Sequence, residues 1–168
     1  MWKFLLLLMP LSFLHNFLGA DELPLGAQAP DLQATDHTGT AFDFGEAVRA
    51  GTVLVYFYPK AMTPGCTKQA CSLRDGWDVL QDRGVTIYGV SSDTADTQAE
   101  FRDKYNLPFT LVADHNKHIS EAFGKGRWSR QAYLFQDGVL VWRDLSASTD
   151  GQLADVIAAL DDLAQKRQ

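Results

Sequence analysis

Two cysteines occur in the 168 residues, Cys66 and Cys71, and their surroundings are unequal. Cys66 follows an apolar run and the pair Pro64-Gly65, at the point where a helix should open. There, free backbone N–H groups and the positive end of the helix dipole would face its sulfur. Both favour a thiolate, which is the nucleophilic form of cysteine. Thr63 lies three residues earlier, with a hydroxyl able to donate to the sulfur or to a bound oxygen. Pro59 lies four residues before that, where it could shield a pocket from water. The arrangement is Pro-x-x-x-Thr-x-x-Cys. Cys71 follows Cys66 with four residues between them, which is not the Cys-x-x-Cys spacing of a general disulfide exchanger.

These residues need a scaffold. Thr52 to Tyr58 (TVLVYFY) is continuously apolar, β-branched and aromatic, the pattern of a central strand covered on both faces. Pro59 stops it, and a helix is expected from about Cys66 to Gln81, ended by Gly84. Val85 to Val90 reads as a second buried strand. Asp93 or Thr94 is placed to cap a helix running to Tyr105. Thr110 to Val112 is a short strand and Ile119 to Phe123 a short helix. Gln131 to Phe135 and Val139 to Arg143 flank Asp137-Gly138, a hairpin signal. Leu153, Val156, Ile157, Leu160 and Leu163 recur at helical spacing in a last helix over Asp150 to Ala164. Upstream, Leu23 to Ala29 reads as an extended lead-in, and Asp31 to Thr35 as an edge strand before a turn at Thr38-Gly39. The order β-α-β-α-β, hairpin, helix predicts an α/β layer with a mixed central sheet flanked by helices, the element order of a thioredoxin-like fold.

Composition narrows the function classes. Acidic residues outnumber basic ones 21 to 15, giving a charge of −6, which argues against general binding to nucleic acid or an anionic membrane surface. Residues 1–20 differ from the rest: one charge (Lys3), an apolar run from Phe4 to Leu14, then Gly19-Ala20. That is the pattern of a secretory signal, and the run is short and interrupted for a transmembrane helix. The expectation is a cleaved leader over 1–20 and one domain over 21–168, exported to a periplasmic, oxidising compartment. An uncleaved anchor is the alternative.

The stretch YFYPKAMTPGCTKQACSLRD, Tyr56 to Asp75, resembles the active-site motif of the peroxiredoxins, and within them the bacterioferritin-comigratory or Q-type subfamily. GVSSDT (Gly89 to Thr94), LPFTLVAD (Leu107 to Asp114) and RQAYLF (Arg130 to Phe135) extend the likeness over nearly all of 21–168. The resemblance implies a thiol-specific peroxidase acting on hydrogen peroxide and organic hydroperoxides. Cys66 would attack the peroxide and become a sulfenic acid, and Cys71 would condense with it to a disulfide. Thr63 would position the peroxide, Pro59 would shield the pocket, and Arg130 would stabilise the thiolate and polarise the peroxide. A thioredoxin-like donor would recycle the disulfide. No cofactor or metal is implied, and the subfamily is often monomeric. After Arg130 the family has small hydroxyl residues where this chain has Gln131-Ala132, and Arg127 is the nearest substitute for Arg130.

Helix geometry tests the two-cysteine cycle. On one regular helix, residues five apart are separated by about 7.5 Å of rise and roughly 140° of rotation. A disulfide needs Cα atoms within about 7 Å and side chains that face each other. Bridging therefore requires unwinding of Thr67 to Ser72, with Gly65 as a candidate hinge. Two other readings compete. One is an exported thiol–disulfide oxidoreductase of the same fold, which would need neither Thr63 nor Arg130. The other is a non-enzymatic copper-binding protein using both cysteines with His115 or His118; histidines three apart in a polar stretch are ordinarily solvent-facing. Lys117, Lys125, Arg127 and Arg130 form a loose basic cluster that could help a reductase dock.

Overall fold

The computed structural model of the chain describes residues 22–126 and 128–166. The leader expected over residues 1–20 and Arg127 lie outside the described residues. In chain order the elements are β1 (Gln33–Thr35), β2 (Ala41–Asp43), α1 (Phe44–Arg49), β3 (Thr52–Phe57), α2 (Pro64–Asp75), α3 (Trp77–Asp82), β4 (Val85–Ser91), α4 (Ala95–Tyr105), β5 (Thr110–Ala113), α5 (His118–Ala122), β6 (Gln131–Gln136), β7 (Val139–Asp144) and α6 (Gln152–Gln165).

The main sheet has five strands in the order β5-β4-β3-β6-β7. β3 is central, parallel to β4 and antiparallel to β6, so the sheet is mixed as the sequence implies. Alternation along β3 explains its unbroken apolar run. Leu54 and Tyr56 join one cluster with Leu73 of α2, Leu80 of α3, Phe101 of α4 and Val156 of α6. Val53, Val55 and Phe57 join the other with Phe44 and Val48 of α1 and Ile119 of α5. Helices thus cover both faces, and Val53 to Phe57 of β3 are shielded from water on both sides. The β6–β7 turn places Asp137 and Gly138 at φ 48° and 81°, the left-handed pair that a two-residue hairpin demands.

The structure departs from the sequence reading in four places. The single helix expected over Cys66 to Gln81 is two. Gly76 ends α2 and begins α3 (φ −97°, ψ 11°), and Leu153 of α6 packs where its side chain would be. α2 also starts earlier, at Pro64, because proline is tolerated at the first helical position, whose N–H needs no partner. The strand near Asp31 to Thr35 is not an edge of the main sheet; it pairs with β2 in a separate two-stranded sheet. β2 and α1 were not foreseen: three and six residues are too few to show a period, and α1 depends on Asp43, whose carboxylate accepts the Glu46 N–H at 2.8 Å.

The stretch before β1 lies along β7. Gly26 N–H donates to the Leu140 carbonyl at 2.8 Å, Leu140 N–H to Ala27 at 2.9 Å, and Ala29 N–H to Gly138 at 2.7 Å. On the opposite margin, His37 N–H donates to the Leu111 carbonyl of β5 at 2.8 Å, beside a bridge between Asp36 and Val112.

Candidate active site

The catalytic candidates sit where β3 hands over to α2. Tyr58 N–H still donates to the Val90 carbonyl at 3.1 Å, and then Pro59 ends the ladder. The loop after it is tied down at Ala61, whose N–H donates to Asp93 Oδ2 at 2.8 Å; the same oxygen accepts from Ser91 Oγ at 2.6 Å. Met62 is held at φ 64°, a left-handed conformation that costs a side-chain-bearing residue about 1–3 kcal/mol and persists only where neighbours enforce it. Packing of Met62 on the core and the Ala61 tether are those neighbours here.

Thr63 occupies the N-cap of α2 with extended backbone, yet its hydroxyl caps nothing in the helix. It donates backwards to the Lys60 carbonyl at 2.9 Å. Its proton is therefore committed, and what Thr63 offers to a ligand is a lone pair. The first helical bond runs from Thr67 N–H to the Thr63 carbonyl at 2.9 Å. The N–H groups of Gly65 and Cys66 precede it and have no partner within the helix.

Cys66 is buried, Cys71 half-buried, and both are free thiols. Arg130 comes to Cys66 from the residue before β6, with Nη2 3.7 Å from Sγ. Its backbone is fixed by Ala147 N–H donating to the Arg130 carbonyl at 2.9 Å. Its Nε is buried without a hydrogen-bond partner among the described residues. Gly65 makes room for it: a Cβ there would stand 2.5 Å from Nη2. Gly65 thus serves as a notch for the guanidinium. Strand alternation also explains why Gln131-Ala132 does not displace Arg130. Ala132 and Leu134 face the α2 side, while Gln131 points to the other face with Tyr133, whose hydroxyl it accepts at 2.9 Å.

Pro59 borders a hollow of about 390 Å³ that also takes in Lys60, Asp93, Lys117, Lys125 and Trp128. Burial pushes the Lys125 ammonium below its ordinary value, opposed by Asp114 and by the sulfur of Cys66. Part of the basic cluster, Lys117 and Lys125, therefore lines a recess beside the loop that follows β3. His118 is occupied: Nε2 meets the Gln33 carbonyl at 2.6 Å, and Nδ1 meets Asn116 and lies 3.6 Å from Asp114. Among the described residues no three potential metal ligands cluster.

Two residues of the site were not legible as such. In sequence Asp93 and Thr94 are alternative helix caps; the cap is Thr94, whose Oγ1 accepts the Thr97 N–H at 3.3 Å. Asp93 is the anchor of the loop. Gly65 reads as a hinge, and only the folded position of Arg130 reveals the close approach.

The sequence model of the AhpC/TSA family matches residues 25–143, which contain Pro59, Thr63, Cys66, Cys71, Asp93 and Arg130. The chain belongs to the AhpC/TSA family. Within this family it is similar to the putative peroxiredoxin Bcp of Coxiella burnetii, 34% identical over 152 residues, covering 82% of this chain and 99% of that one. It is 40% identical over 112 residues to peroxiredoxin Bcp of Escherichia coli K12, covering 67% and 70% of the two chains. A solved structure of the bacterioferritin comigratory protein of Xanthomonas campestris superposes with a TM-score of 0.77 at 27% identity, covering 84% of this chain and 98% of that one. Kinship with Bcp and peroxiredoxin Q proteins indicates a thiol peroxidase on a thioredoxin-like fold. It does not favour the copper-binding or disulfide-exchange readings.

Proposed function

We propose that this AhpC/TSA-family peroxiredoxin reduces hydrogen peroxide and organic hydroperoxides through Cys66, with Cys71 as the resolving thiol. The observation that carries the reading is the Arg130 Nη2 to Cys66 Sγ approach of 3.7 Å, at the open first turn of α2. In the first step the Cys66 thiolate forms an S–O bond to the terminal peroxide oxygen, the O–O bond breaks, and the alkoxide leaves as alcohol or water after taking a proton. Cys66 is oxidised to the sulfenic acid by two electrons. Arg130 and the free N–H groups of the first turn stabilise the charge moving onto the leaving oxygen, the usual large electrostatic contribution to such displacements. Thr63 accepts the peroxide O–H and orients it in line, and Pro59 keeps bulk water out.

In the second step the Cys71 thiol attacks the sulfenic sulfur. The S–O bond breaks, water leaves and a Cys66–Cys71 disulfide forms. A thiol donor of thioredoxin-like type then reduces the bridge. The alkyl peroxide reduction activity named for the Xanthomonas campestris relative supports including alkyl hydroperoxides. The leader pattern of residues 1–20 supports export and action beyond the cytoplasm, with cleavage after Ala20; mass spectrometry of the exported chain should find Asp21 as its first residue.

The deciding experiment is peroxide consumption by the reduced protein, followed by mass spectrometry of both cysteines. Cys66→Ser should abolish turnover. Cys71→Ser should complete one turnover and stop. Peroxide consumption by Cys66→Ser at the parental rate would overturn the assignment.

A further inference from the structure

α2 leans on α6 through side chains that the peroxidase chemistry does not use. Gln69 and Gln152 are both fully buried, and Gln69 Nε2 donates to Gln152 Oε1 at 2.6 Å. Ser72 Oγ accepts the Leu153 N–H at 3.4 Å and lies 3.5 Å from the Asp150 carbonyl. The N-cap of α6 is Gly151, which has no side chain to offer, so an acceptor for the first turn of α6 comes from α2, 81 residues upstream.

The amide pair is only half made. Gln69 Oε1 and Gln152 Nε2 are buried with no partner among the described residues. Exchanging oxygen and nitrogen in both amides leaves the same single bond and two orphaned atoms. Each orphan regains water when α2 lets go, so it opposes the closed state. The contact is thus strong enough to hold the helix and built to release it.

The geometry points to a latch: the Gln69–Gln152 and Ser72–Leu153 contacts hold α2 coiled against α6, and their strength sets how fast Cys71 reaches the oxidised Cys66. The inference rests on the Cys66–Cys71 cycle proposed above. Gln69 lies between the two cysteines and Ser72 directly follows the second, so neither contact survives the unwinding that the bridge requires. Until release, the sulfenic acid can take a second peroxide. It then gains another oxygen to become a sulfinic acid, and the peroxide leaves as alcohol or water, so two products compete. Gln69, Gln152 and Ser72 are positioning residues that divide the sulfenic acid between them.

The test uses Ser72→Ala and Gln152→Ala in the full chain, with reduced protein mixed with hydrogen peroxide and quenched for mass spectrometry. The rate of sulfenic acid formation should match the parent. Disulfide formation should be about fivefold faster for each net hydrogen bond removed. The peroxide concentration that converts half of Cys66 to sulfinic acid should rise by the same factor. Parental values for both quantities in a folded Ser72→Ala protein would overturn the latch. Ser72 is half-exposed, so this variant carries the test if Gln152→Ala fails to fold. In the parent, amide exchange at Leu153 should quicken on oxidation; equal protection in both redox states would also overturn it. A parent that never forms the Cys66–Cys71 bridge would overturn the cycle itself, and the latch with it. A parent that bridges while the variants keep its rate would overturn the latch alone.

Discussion

Arg130 lies so close over Gly65 that a Cβ at residue 65 would fall 2.5 Å from its Nη2 and 3.3 Å from its Cζ. The same nitrogen is the one facing Cys66 Sγ. Gly65→Ala should therefore push the guanidinium off the sulfur without touching either cysteine. Stopped-flow measurement should find the peroxide step slowed by about tenfold or more. Arg130→Met should cost about 10²-fold, the scale of losing one charge-stabilising donor. An unchanged rate in both variants would remove Arg130 from the mechanism.

Asp93 fixes the loop between β3 and α2 through a single oxygen shared by Ala61 N–H and Ser91 Oγ. Asp93→Ala leaves the Ala61 N–H unpaired, at a cost of about 1–3 kcal/mol in a buried setting. Denaturant unfolding should register that loss. Oxidation of Cys66 should slow, because Met62 and Thr63 lose the neighbour that holds their backbone. Parental stability and rate together would show that the tether is incidental.

Gly76 has no room for a side chain, since a Cβ would lie 2.2 Å from Leu153 Cδ1. Gly76→Ala should destabilise the protein by about 1–3 kcal/mol through overpacking. Leu153→Ala in the same chain should recover part of it, and a double-mutant cycle reads the coupling. Additive effects would mean that the two residues do not meet in solution.

Two carboxylates give the N-terminal hairpin an acid-sensitive foundation. The Glu46 N–H holds the Asp43 carboxyl below its ordinary value of 3.8, helped by Gln33. For Asp36, burial works the other way, but the Thr38 hydroxyl and the N–H groups of Thr38 and Thr40 outweigh it. A carboxyl lowered in the folded state contributes stability above its unfolded value and loses it as pH falls through the lower folded value. Amide protection at Thr38, Thr40 and Glu46 should hold at pH 5 and fall below pH 3.8, ahead of β3 and β4. Constant protection from pH 5 to about 2 would contradict this.

Much of this arrangement was legible in the chain because two signals are local. The run from Thr52 to Tyr58 announces a strand buried on both sides, and Asp137-Gly138 announces its hairpin. The Pro59, Thr63 and Cys66 spacing marks the candidate segment for the same reason, as all three belong to one loop and one helix turn. What sequence could not give was anything set by a distant partner. The break at Gly76 is made by Leu153, the notch at Gly65 by Arg130, and the role of Asp93 by the amide of Ala61. The hydroxyl of Thr63 turns back to Lys60 for a similar reason: the loop conformation that directs it there is not written in the local sequence. β2 and α1 escaped because their stability comes from packing Phe42 and Phe44 against Tyr88, not from any periodicity of their own.

One stretch of chain, residues 23–37, runs past both margins of the main sheet, bonding to β7 at Gly26 and Ala27, to Gly138 just before it at Ala29, and to β5 at His37. Strand margins are where folded proteins zip together into dimers and fibrils, and here each is already stitched shut by the molecule's own leading segment. A second copy wishing to extend the sheet would first have to peel that strip away. Trimming the chain up to Ala29 should bare the β7 margin and turn a well-behaved solution into one that clots on standing.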